Sequence, residues 1–215
     1  MFLFTIILIP ATLVFYCVSV RDKMIVAVSL CGILSGFFVC ICTSLFTFMH
    51  RVPLYSFGSN FSYYASREYI LPIVLLFCVY FFVTKDDFSF KARAFFPLSL
   101  GFLSVFVPYI TVSAKQAAFS FYELFAKPVI WLSMVIFLKF LVVRLFSSGT
   151  GTKRSGGNLS VIMYSVLAAF VLFVPPFINA LWVVNWLKIL SVITGLFYVL
   201  FAVALCVLPL KKRFL

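Results

Sequence analysis

Groups able to move a proton or hold a metal are scarce in this chain. The acids are Asp22, Glu68, Asp86, Asp87 and Glu123, and the single histidine is His50. All five carboxylates fall in connecting segments or in a polar stretch after Ser113. The apolar runs therefore keep no carboxylate for a proton relay, a cation site or an aspartyl dyad. One histidine rules out an H-E-x-x-H zinc site, and no G-x-S-x-G nucleophile motif is present. The cysteines (17, 31, 40, 42, 78 and 206) all sit inside apolar runs, and Cys40 and Cys42 point to opposed faces of a helix. They read as small packing residues rather than metal ligands. The stretch from Ser147 to Asn158, SSGTGTKRSGGN, places glycines ahead of a lysine. It lacks the four-residue glycine spacing and the preceding strand of a phosphate-binding loop, so it reads as a flexible loop. The expectation is a protein that is not an enzyme and uses no cofactor and no metal.

Four positions stand out as ligand or partner contacts. Lys139 lies within an apolar run, where a cation costs roughly 2.5–3.5 kcal/mol at the centre of a span. It is expected to snorkel toward the near end of its helix, the alternative being a cation turned inward to an anionic ligand or a partner subunit. Pro175 and Pro176 remove two successive backbone donors, so they are expected to end a span. Alternatively, they mark a broken helix near Asn179 whose free backbone groups could meet a solute. Gly32 and Gly36 form a small-x-x-x-small pair that lets helices approach closely, within the chain or between subunits.

The elements that must position these residues are membrane spans. Hydrophobic residues make up 65% of the 215 and charged ones 10%, with 30 phenylalanines, far too much apolar surface for a wetted exterior. Apolar runs of about twenty residues, the length that crosses a bilayer, succeed one another along the chain. They predict an all-α polytopic transmembrane helix bundle of about seven spans, a single integral membrane domain over 1–215. The spans are expected near 2–20, 24–49, 69–84, 94–113, 128–146, 159–176 and 188–210. The first has no basic n-region and no small-x-small cleavage site, so it is not read as a cleaved signal peptide. Between the fourth and fifth spans, Gln116, Ser120, Glu123 and Lys127 recur at helical spacing, opposite Ala117, Phe121, Leu124 and Phe125. This pattern predicts an interfacial amphipathic helix over 115–127. The flexible loop occupies 147–158.

The net charge of +12 is distributed at span ends and in short loops. It reads as topology signal and lipid-headgroup contact, not as a nucleic-acid surface. One side of the seven-span scheme holds Arg21, Lys23, Lys85, Lys91, Arg93, Arg144, Lys153, Arg154, Lys211, Lys212 and Arg213. The other holds Arg51, Arg67, Lys115, Lys127 and Lys188. The excess puts the C-terminus in the cytoplasm and the N-terminus outside, in a bacterial cytoplasmic membrane. The partners expected are the lipid bilayer and other membrane subunits, with no nucleic acid. In function the chain reads as a non-catalytic multi-pass membrane protein, a subunit of a membrane complex. The alternative is a small-solute permease or substrate-capture component of a transporter.

Overall fold

The computed structural model describes residues 2–20, 22–49, 56–84, 88–113, 122–147, 157–184 and 187–211. These residues form an all-α bundle, with no strand among them. The helices are α1 (Phe2–Val20), α2 (Lys23–Met49), α3 (Phe57–Tyr64), α4 (Leu71–Val83), α5 (Phe88–Ser113), α6 (Lys127–Ser147), α7 (Gly157–Val183) and α8 (Lys188–Lys211). Two π-helical turns are inserted: Ala65–Ile70 joins α3 to α4, and Tyr122–Ala126 leads into α6. Six helices of the described residues are long and apolar enough to cross a membrane, and α1 is a further apolar helix. The chain is a membrane-embedded protein.

Helix α5 is the axis of the bundle. Its apolar residues lie on all sides, and 67% of its spanning window is buried against neighbours, whereas only 17% of α8 is. Phe95, Leu98, Phe102, Leu103 and Phe106 are fully covered. The outward residues of α1, α2 and α8 are apolar as well, among them Phe15, Leu34, Phe37, Phe38, Ile189 and Phe197. An exterior of that kind is stable against lipid tails and not against water. Several hydroxyls inside the bundle are satisfied within their own helices. Ser29 donates to the Ile25 carbonyl at 2.8 Å, Ser99 to Phe95 at 2.7 Å and Thr111 to Val107 at 2.9 Å. This is the least costly arrangement for a hydroxyl that cannot reach water.

The closest backbone approach joins α2 to α5. A Cβ at Gly32 would overlap the Leu98 carbonyl, and one at Gly101 would overlap the Ser29 carbonyl. At Gly36 it would stand 2.9 Å from the Phe102 carbonyl oxygen. The small-residue pair of α2 therefore faces α5 of the same chain, with Gly101 answering it from the other side.

The structure departs from the sequence expectations in several places. Helix α3, the first π turn and α4 form one continuous apolar helix over Phe57–Val83, so the span begins well before Tyr69. Ser56 starts it with a capping box, its hydroxyl accepting from the Ser59 amide at 3.2 Å. Helix α7 runs through Pro175 and Pro176 to Val183 and does not end at 176. Pro175 leaves the Val171 carbonyl without its usual helical donor, and Tyr198 Oη donates to that oxygen at 3.4 Å. One turn on, Ser191 donates to the Ile178 carbonyl at 2.9 Å. Tyr198 of α8 thus serves a carbonyl that Pro175 leaves open in a helix that sequence alone would break. Residues 115–121 of the expected interfacial helix lie outside the described residues, as do 148–156 of the loop. The end of that interfacial segment is the π turn leading into α6, and Lys127 at its border is buried, not part of a surface stripe.

Candidate functional site

The buried charges of the described bundle gather at one end, where α3 and α6 begin and α5 and α7 finish. Glu68 is 1% exposed and Lys127 also 1%, and Lys127 Nζ stands 2.7 Å from Glu68 Oε2. Asn179 Nδ2 donates to the same carboxylate oxygen at 3.3 Å and to Tyr69 Oη at 3.0 Å. Its carbonyl oxygen accepts from Tyr122 Oη. Arg67 completes the group, with Nη1 3.7 Å from Glu68 Oε1 and Nη2 donating to Ser113 Oγ at 3.2 Å. Side chains from five helical segments thus converge on one carboxylate and its neighbours.

Aromatic rings wall the cluster. Tyr69 stacks on Trp131 with centroids 5.0 Å apart, and Trp131 meets Phe106 edge-on at 5.4 Å. Tyr122 stacks on Trp182 at 4.6 Å, and Lys188 Nζ lies 5.5 Å from the Trp182 ring. The Arg67 guanidinium is 5.5 Å from Tyr63, and Lys127 Nζ is 5.9 Å from Tyr64. Cations set against ring faces in an apolar surround gain attraction that water would otherwise screen.

Both π turns of the described chain border this cluster. Glu68 and Arg67 lie within the first, and Lys127 directly follows the second. Within the first π turn Arg67, Glu68 and Tyr69 are consecutive and all buried. Such turns are rare and occur frequently at functional sites.

Of the positions singled out from sequence, only Asn179 belongs to the cluster. Pro175 and Pro176 lie one turn below it on α7, buried inside the helix. Lys139 is about 18 Å farther along α6 from Lys127, at 1.5 Å per residue. It is half-buried, with Nζ 4.4 Å from the Phe96 ring, near the opposite end of α5. Gly32 and Gly36 lie on the α2–α5 seam. Glu68, Arg67, Lys127, Tyr69 and Tyr122 are additions that sequence reasoning missed. Glu68 corrects the expectation that no span holds a carboxylate, because the span that holds it starts at Phe57. No apolar periodicity marks these residues in the sequence: Asn60, Tyr64, Glu68, Pro72, Leu76 and Tyr80 share a helix face only because the helix runs on from Phe57.

No protein-family model, no curated protein and no solved structure matches this chain. Its function has to be argued from the cluster itself.

Proposed function

We propose that this chain is a non-catalytic, solute-capturing multi-pass membrane protein, and that the cluster around Glu68, Lys127 and Asn179 is its binding site. The observation that carries this reading is the burial of a carboxylate and two cations inside an otherwise apolar bundle. Ionisable side chains within membrane segments are costly to place, and where they occur they mark solute and ion paths. Apolar residues of similar volume would hold the helices together at least as well as the ion pair does. The cluster combines a carboxylate, cations, an amide and phenols, which can recognise a small polar solute by hydrogen bonds and charge. Among the described residues it has no nucleophile activated by an adjacent base, which supports binding over catalysis. The Gly32–Gly36 face packs inside the chain, so it lends no support to a subunit contact.

The distribution of bases supports an outward-facing site. Arg67 and Lys127 are buried and drop out of the surface count, which leaves Arg51, Lys115 and Lys188 on the cluster's side of the membrane. The opposite side keeps its eleven bases and is therefore the cytoplasmic one. The chain then runs from an external N-terminus to a cytoplasmic C-terminus.

The test is a thermal-stability screen of the detergent-purified protein against amino acids, carboxylates, phosphates, sugars and amines. A solute that stabilises the native protein but not Asn179→Leu supports capture at this site. Failure of every class, or equal stabilisation of the variant, contradicts it.

A further inference from the structure

Within this cluster the partners are unequally served. Glu68 Oε2 is held by Lys127 at 2.7 Å and by Asn179 at 3.3 Å. Its other oxygen is 3.7 Å from Arg67, too far for a hydrogen bond. Arg67 is the member left short. Its side chain is 9% exposed, and its Nε finds no acceptor among the described residues. Its one hydrogen bond in the cluster goes to the Ser113 hydroxyl, which in turn donates to the Ile110 carbonyl at 3.3 Å. A guanidinium presents its donors as a planar fork shaped for a carboxylate or a phosphate, and it is always charged. A buried donor without an acceptor costs free energy that an anionic ligand would recover. Ser113 ends α5 and Tyr63 lies on α3, so the guanidinium is at the end of the bundle from which a solute would arrive.

We infer that Arg67, flanked by Ser113 and Tyr63, is the anchor for an oxyanion group, a carboxylate or phosphate, on the ligand of this protein. The inference rests on the capture reading and names its substrate class. Glu68 then holds Lys127 and Asn179 in place, and Arg67 supplies the charge that faces the ligand. A zwitterionic or anionic small molecule fits such a site, and a cation or a neutral sugar does not.

The inference is tested by thermal unfolding of the full chain in a neutral detergent. Succinate and inorganic phosphate are titrated against sodium chloride at matched ionic strength, alongside glucose and ethanolamine. The native protein should show saturable stabilisation by succinate or phosphate beyond the chloride control. Arg67→Gln should weaken the apparent affinity about tenfold or more, and Arg67→Lys, which keeps charge without the fork, should fall between. Ser113→Ala, which leaves the guanidinium in place, should weaken it less and guards against an Arg67 variant that fails to fold. Stabilisation only by phosphatidylglycerol nanodiscs, still dependent on Arg67, would support the oxyanion site while overturning solute capture. Stabilisation by glucose or ethanolamine alone, dependent on Asn179, would overturn the oxyanion inference and leave capture standing. No response that depends on Arg67 or Ser113 would also overturn the inference.

Discussion

The ion pair between Glu68 and Lys127 can be examined by a double-mutant cycle. At 2.7 Å the gross attraction between unit charges is roughly 6 kcal/mol at an effective dielectric of about 20. Much of that is offset by desolvation, since both side chains are at most 2% exposed. Removing one partner strands the other, which costs about 3–5 kcal/mol. The two single variants should differ. Lys127→Met withdraws one of the donors to Glu68 and leaves Asn179 and Arg67 beside the carboxylate, so it should fall near the lower end. Glu68→Gln withdraws the charge shared by Lys127 and Arg67 and should fall near the upper end. Combining Glu68→Gln with Lys127→Met removes both charges and should be no worse than Glu68→Gln alone. The resulting coupling should exceed about 2 kcal/mol, whereas neutral interhelical hydrogen bonds in membranes average about 0.6 and reach about 1.7. Reversible unfolding in mixed micelles with increasing sodium dodecyl sulfate measures all four proteins. Additive single effects, or a coupling below about 0.5 kcal/mol, would refute the assignment of this pair as a buried, mutually dependent ion pair.

Four further outcomes follow from the packing. Gly32→Leu and Gly101→Leu should each destabilise by about 3 kcal/mol or more in the same assay, because backbone carbonyls cannot move aside. Gly58→Ala, in α3 with nothing within 4 Å of its Cβ, should not destabilise and should gain up to about 1 kcal/mol from helix propensity. Tyr198→Phe should cost about 0.5–1.5 kcal/mol by leaving the Val171 carbonyl unserved, and much less in a Pro175→Ala background, where the restored amide bonds that oxygen. Lys139→Leu should reach the membrane at native abundance or better and leave the ligand response unchanged, since Lys139 lies against Phe96 far from the cluster. A lost response at normal abundance would place a function at Lys139.

The membrane character and the helical fold were legible in the sequence because both follow from the length and apolarity of its runs. Apolarity along the chain marks helix cores well and helix ends poorly. Hydropathy rises only at Tyr69, although the helix already buries Asn60 and Glu68 inside the bundle, Glu68 against Lys127. A polar residue satisfied by a distant partner looks, in one dimension, like a loop residue. The same effect hid Lys127, whose partner is far away in sequence, and made Glu68 look harmless. Proline misled in the opposite direction, since the donor that repairs α7 comes from Tyr198 on another helix. Asn179 was singled out because of the neighbouring prolines. Its place in the site comes instead from amide contacts with Glu68, Tyr69 and Tyr122, which spacing along the chain does not record.

The claim that this cluster is a capture site can be tested through its own tryptophans. Trp131 stacks on Tyr69 and Trp182 on Tyr122, so both indoles border the groups that would hold a ligand. Intrinsic fluorescence of the full chain in nanodiscs, titrated with succinate, phosphate, amino acids and sugars, should show a saturable change with at least one of them. That change should be lost in Asn179→Leu while the unliganded spectrum stays folded. A flat titration with every solute, or a change that persists undiminished in Asn179→Leu, would contradict the account.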